Sequence, residues 1–180
     1  MLEVRIPVFP LLLIALAFLL LWLEGKRKPR DYARALSLDS VKPAKSIRGA
    51  AVLFAKMILL LIALSLVFNA LNTNDSNRVV DVLRAQPVEM LFAAIALAPF
   101  AEELFFRGYL QKRVGVIVSS ALFAALHYSY GSVSEIISAF FISILIGMEL
   151  RRRNDLNACI IAHAAYNAVT LLLVFQFYLV

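Results

Sequence analysis

APFAEELFFRGY, residues 98–109, decides how this chain is read. It sets Glu102 and Glu103 side by side, with Arg107 four residues after Glu103, inside a run that is otherwise apolar. Two later apolar runs each carry one histidine, His127 and His163, and Asn167 stands four residues after the second. Ionisable groups at membrane depth cost roughly 2.5–3.5 kcal/mol each on insertion scales. Groups kept there at that cost either serve chemistry or pair with one another and lock helices together.

Outward from that stretch, composition bounds the class. The chain of 180 residues is 62% hydrophobic with mean hydropathy +0.84, whereas a soluble domain is about 45–50% apolar. The excess is too large for one buried core, so the expected fold is all-α: a polytopic membrane helix bundle forming one domain over residues 1–180. The net charge is +6, but the basic residues sit at the ends of apolar runs, which is a topology pattern and not a nucleic-acid-binding one. The single cysteine, Cys159, excludes an intramolecular disulfide and gives no metal-cluster spacing.

Six spans are expected. The first, residues 7–23, ends in Trp22 and then Lys26, Arg27 and Lys28, a stop-transfer pattern and not a signal-peptide cleavage site. Residues 24–49 read as a polar, basic linker broken by Pro29 and Pro43, with a short amphipathic turn in DYARALSL as an alternative to plain linker. The second span is 50–71, with Lys56 snorkelling back to the interface. A polar loop, 72–86, carries a surface helix near residues 79–83 and a formal but weak glycosylation sequon at Asn74. The third span, 87–110, opens on Pro87 and is kinked by Pro99. The fourth, 114–128, is rich in small residues and leads into a tight turn at Tyr128, Tyr130 and Gly131. The fifth is 132–150 and the sixth 156–180. Residues 1–86 thus form two helices with their loops, and residues 87–180 a four-helix catalytic core.

The loops after spans one, three and five hold eight, two and three basic residues, and the other side only Arg5, Arg78 and Arg84. The positive-inside rule makes the basic side cytoplasmic and puts both termini on the non-cytoplasmic side. At 1.5 Å per residue, Glu102 then lies roughly 12 Å from the cytoplasmic end of its span, with His163, Asn167 and His127 at roughly 10, 17 and 20 Å. Three helices can present these groups to one cavity opening toward the cytoplasm.

Glu102 suits a general base acting on water, with His127 holding the water or sharing its proton. His163 and Asn167, at i and i+4, lie on one helix face and can both donate to an oxyanion. Glu103 and Arg107 share the same spacing in the favourable order and read as a supporting, structural pair. Zinc is the competing chemistry, with Glu102, His127 and His163 as ligands and an open water position. No HExxH pair is present.

The motifs Glu102-Glu103-Leu-Phe-Phe-Arg107, Phe123-Ala-Ala-Leu-His127 and His163-Ala-Ala-Tyr-Asn167 stand in that order, each in its own hydrophobic helix. This order resembles the CAAX protease and bacteriocin-processing family, also called the Abi family, which includes the type II CAAX prenyl endopeptidases. The resemblance implies an intramembrane endopeptidase, cutting near the cytoplasmic leaflet, in which Glu102 and His127 activate water while His163 and Asn167 form the oxyanion hole. A metal-independent, glutamate-type site without a cofactor is favoured, with zinc as the alternative. The implied partners are membrane lipid and a protein or peptide substrate, lipid-modified or not, and no nucleic acid. The implied location is multi-pass in a prokaryotic plasma membrane. A non-catalytic immunity or partner-binding protein of the same fold is the alternative function, and a proton-relay transporter is a third.

Overall fold

In the computed structural model, which describes residues 7–39 and 43–177, every regular element among the described residues is helical. The first apolar run forms α1 (Val8–Leu23) and stops where Glu24 and Gly25, the latter at φ +86°, turn the chain. The Arg27 guanidinium lies 4.6 Å over the Trp22 ring, so the expected interfacial anchor is one cation–π unit. The linker is more ordered than its composition suggested. α2 (Pro29–Ala35) starts with proline at its first turn, and Asp31 accepts from the Lys28 N–H at 3.3 Å. The fully buried Leu36 then plugs into the core between Gly108 and Leu156; a Cβ on Gly108 would lie 2.9 Å from Leu36 Cδ2.

α3 (Pro43–Ala70) begins seven residues before the expected residue 50. Pro43 does not break the linker; it opens a helix of 28 residues, about 42 Å long against an apolar slab of roughly 30 Å. Its first turns extend beyond the apolar stretch because they are amphipathic. Lys45 and Arg48 are exposed, while Ser46, Gly49 and Ala50 pack inward and Ser46 Oγ donates to Asp155 at 3.2 Å. Lys56 does not simply snorkel. Its Nζ lies 3.2 Å from Glu149, a buried carboxylate that also pairs with Arg152 and Arg153.

The surface helix is α4 (Asn77–Arg84). The expected third span is not one rod but α5 (Val88–Ile95), α6 (Leu97–Glu102) and a π-helical segment (Glu103–Leu110), running on into α7 (Gln111–Leu126). Pro99 causes the first break: it cannot donate to the Ile95 carbonyl and its ring crowds it, and the backbone departs from helix at Ala96 (φ −116°, ψ −53°). The chain reverses at Gly115, whose φ of +82° and ψ of 171° only glycine adopts readily. A 3₁₀ turn (His127–Tyr130) and Gly131 at φ +66° make the expected aromatic turn. α8 (Val133–Arg153) and α9 (Leu156–Phe177) complete the bundle. Arg5, Lys42 and the last residues of the expected sixth span lie outside the described residues.

Among the described residues three helices, α3, α8 and α9, are long and apolar enough to cross a membrane, and α1 is apolar but shorter. The six expected spans are therefore not six equivalent rods, because Pro99 and Gly115 interrupt the third and fourth. The loops do collect at two ends as the charge pattern required. At the basic end Arg113 pairs with Glu24, Tyr109 donates to Glu24 at 3.0 Å, Lys112 donates to Ser37 at 2.7 Å, and Ser37 donates to Asn154 at 2.6 Å. At the other end Arg78 donates to the Gly131 carbonyl at 2.6 Å, and Asp75 caps α8.

That cap carries a prediction. Asp75 accepts from the Val133 and Ser134 N–H groups and from the hydroxyls of Ser132 and Ser134. The Ser134 hydroxyl above all, then the Ser132 hydroxyl and the two N–H groups, holds the Asp75 carboxyl well below the usual carboxylate range. A depressed folded value means stability that is present above the unfolded value near 3.9 and lost as pH falls below it. Asp75→Ala should lower the melting temperature in detergent by roughly 2–4 °C at pH 7, the equivalent of one helix cap of about 1 kcal/mol. The gap between wild type and variant should narrow on acidification below about pH 4. A gap that stays constant down to pH 3 would contradict this role.

Candidate active site

The broken helix sets the site. The last carbonyls of α5 lose their intrahelical partners at the Ala96 break, and Asn167 Nδ2 from α9 donates to the Ala94 carbonyl at 2.8 Å. Beyond the break the chain enters the π-helical segment, a wider winding that recurs at functional sites. Its Phe106 carbonyl accepts from Ser119 Oγ on α7 at 2.9 Å. Glu102 and Glu103 diverge at this point. The Glu102 side chain is 17% exposed and lines a cavity, whereas the Glu103 side chain has no exposure at all.

His163 stands between them. Its Nδ1–H donates to Glu103 Oε1 at 2.8 Å, and its Nε2 lies 3.9 Å from Glu102 Oε2. The two carboxylates therefore address opposite nitrogens of one imidazole. To the supporting role expected of Glu103 beside Arg107 the structure adds a direct contact with His163. Arg107 Nε is 3.2 Å from Glu103 Oε2, with both side chains essentially unexposed, so Glu103 joins a buried cation to the site histidine. Arg107 itself lies behind the cavity wall, its Cζ 4.2 Å from the Phe123 ring centroid.

His127, at the start of the 3₁₀ turn, donates from Nδ1 to the Phe123 carbonyl at 3.1 Å, which leaves Nε2 as a hydrogen-bond acceptor. The Phe123 ring touches both imidazoles, with centroids 4.8 Å from His127 and 6.1 Å from His163. Phe123 entered the sequence reading only as the first letter of its motif; the structure makes it the contact shared by Arg107, His127 and His163.

Glu102, His127, His163 and Asn167 all line one cavity of about 150 Å³. Glu103 and Arg107 do not. Tyr130, Glu135 and Tyr166 line it too and had no assigned role. Nothing in helical spacing singles out Glu135, since Ser132-Val-Ser-Glu135 reads as an ordinary capping box.

The position of the cavity differs from expectation. It is bounded by Val79 and Leu83 of α4 and by Tyr130 and Glu135, so it sits toward the α4 end of the bundle and not toward the basic end. Depth counted along straight helices treats both ends alike; here Leu36, Gly108 and Leu156 close the basic end by packing. Among the described residues no three His, Cys, Asp or Glu side chains are gathered as a metal site would need.

Fold and site together define a helical bundle with helices of membrane-spanning length and a carboxylate–imidazole cluster at one cavity. Residues 84–169 match the family model described as type II CAAX prenyl endopeptidase Rce1-like, in agreement with the resemblance carried by the three motifs. Among curated proteins the chain is 37% identical over 81 residues to the uncharacterized protein YpbD of Bacillus subtilis (strain 168), covering 44% of this chain and 42% of that protein. It is 30% identical over 96 residues to an uncharacterized protein of Mycoplasma capricolum subsp. capricolum, covering 48% of this chain and 28% of the other. The chain thus spans less than half the length of these relatives. No solved structure matches it significantly.

The buried pair gives the second prediction. Arg107→Met removes the cation beside Glu103 and leaves it with the His163 N–H alone, a loss of roughly 3–5 kcal/mol for a broken buried pair. The double variant Glu103→Gln/Arg107→Met removes both charges and should recover at least half of the lost melting temperature in detergent. A double variant as unstable as Arg107→Met alone would show that Arg107 acts through packing and not through charge.

Proposed function

We propose that this protein is an intramembrane endopeptidase in which Glu102 activates water for attack on a peptide bond. The observation that carries the reading is the His163 imidazole held between Glu103 and Glu102 at a cavity shared with His127 and Asn167. The family match to residues 84–169 supports the same reaction class.

In this mechanism the Glu102 carboxylate takes a proton from water as the water oxygen bonds to the scissile carbonyl carbon. His127 Nε2, free to accept, orients that water. The carbonyl oxygen becomes an oxyanion and receives hydrogen bonds from a protonated His163 Nε2 and from the second N–H of Asn167. Glu103 on Nδ1 fixes the ring and compensates the charge on the imidazolium. Collapse of the intermediate breaks the C–N bond, and the proton held by Glu102 passes to the leaving amine. No step uses a metal, so a chelator should leave the rate unchanged.

The proposal extends to the architecture. α1, α3, the α5-to-π segment, α7, α8 and α9 make six crossings, with the basic end cytoplasmic and both termini on the opposite side. Residues 87–180 carry the catalytic groups, and residues 1–86 supply two supporting helices and the plug at the basic end. The location is a prokaryotic plasma membrane, and the substrate is a membrane-associated protein or peptide, prenylated or not, that reaches the cavity from the α4 end.

The test is a proteomic comparison of membranes from cells carrying wild-type or Glu102→Gln protein. The expected result is an uncut precursor in the variant only. With the identified peptide in detergent, cleavage should fall by about 10²–10⁴-fold on loss of the general base and persist in chelator. A Glu102→Gln protein that still processes the precursor would end this reading in favour of a shielding or immunity role.

A further inference from the structure

Glu135 lines the same cavity as Glu102, and its carboxylate does not make the contact its position implies. In a capping box the glutamate at the third helical position reaches back to the N-cap N–H. Only half of that box forms here: Ser132 Oγ accepts from the Glu135 N–H at 3.1 Å. Asp75 accepts from the next two N–H groups at the start of α8, Val133 at 2.8 Å and Ser134 at 3.1 Å. The Glu135 carboxylate has no side-chain hydrogen bond or ion pair among the described residues, and no lysine or arginine lines the cavity. The ionisable side chains beside it are Asp75, Tyr130 and Tyr166. A half-buried carboxylate on a cavity without a counter-charge is costly. The missing charge is the natural contribution of a ligand.

We infer that Glu135 forms a subsite for a positively charged substrate side chain, lysine or arginine, close to the bond that is cut. The inference rests on the endopeptidase reading of the cavity. Tyr130 and Tyr166 supply aromatic walls suited to an alkyl stem and its cationic head, and Glu135 supplies the counter-charge. A cavity of about 150 Å³ is the size that admits one benzene-sized group in an engineered core, so it holds one side chain and not a folded segment. The carboxylate of Glu102 on the same cavity adds to the acidic field and disfavours an acidic residue there.

The test uses the full chain in lipid nanodiscs with short apolar peptides, acetylated and amidated, carrying one lysine or its neutral isostere norleucine at each position in turn. Binding is measured on Glu102→Gln protein and cleavage on wild type. The expected result is one position at which lysine binds about tenfold more tightly than norleucine, the scale of one charge-assisted contact. Glu135→Gln should bring that ratio to about one, and Glu135→Lys should turn the preference to glutamate at that position. Lysine and norleucine binding equally at every position, or no binding of any lysine peptide, overturns the subsite. So does a preference that survives Glu135→Gln in protein of unchanged melting temperature. Lysine-selective binding that depends on Glu135, without cleavage by wild type, keeps the cation subsite and sinks the endopeptidase reading instead.

Discussion

The Arg107–Glu103 pair is the constraint on which the rest of this structure turns. Both side chains are out of contact with solvent, in a region where an unpaired charge would not be tolerated. The pair is poorly aligned for hydrogen bonding, and the two terminal guanidinium nitrogens find no hydrogen-bond acceptor. Their compensation is the face of Phe123, 4.2 Å from Cζ. One cation therefore determines two things at once: the ionised partner that grips His163 and the seat of the ring that touches both histidines. Charge neutrality in a low-dielectric core and placement of the His163 imidazole are the same interaction.

The helix carrying that interaction is irregular. A regular α-helix from residue 87 to 110 would turn Glu102 and Glu103 by the usual 100° and leave its carbonyls satisfied internally. The break at Ala96 frees a carbonyl that a neighbouring helix takes up, Asn167 serving Ala94, and in the π-helical segment Ser119 adds a second donor to the Phe106 carbonyl, which also accepts from the Gln111 N–H. Backbone irregularity at membrane depth is tolerated only where protein partners replace the lost bonds. Here those partners include a residue of the candidate site, so Asn167 both holds the broken helix and faces the cavity.

The two ends of the bundle are built differently. The basic end is tied by Glu24, Ser37, Asp155 and Glu149 to the arginines, lysines and hydroxyls of three loops, and Leu36 fills what remains. The α4 end is closed by an amphipathic helix, an aspartate cap and an aromatic turn, and the cavity lies there. Polar ties across several loops make a rigid floor, whereas a short surface helix lying over a cavity is a cover.

Much of this was legible in the residues themselves. Apolar run lengths and the basic loop ends are one-dimensional properties, so the helical class and the grouping of loops into two ends could be read directly. The i, i+4 spacing of Glu103 with Arg107, the breaking power of Pro99 and the meeting of Glu102, His127, His163 and Asn167 at one cavity followed from local chemistry and motif order. What spacing could not reach was the rotation of each helix against its neighbours. That rotation put Glu103 as well as Glu102 on His163, brought Lys56 to Glu149, turned Glu135 into the cavity and moved the cavity to the α4 end. Periodicity says which residues share a face; only packing between helices, with its breaks and plugs, says what each face meets.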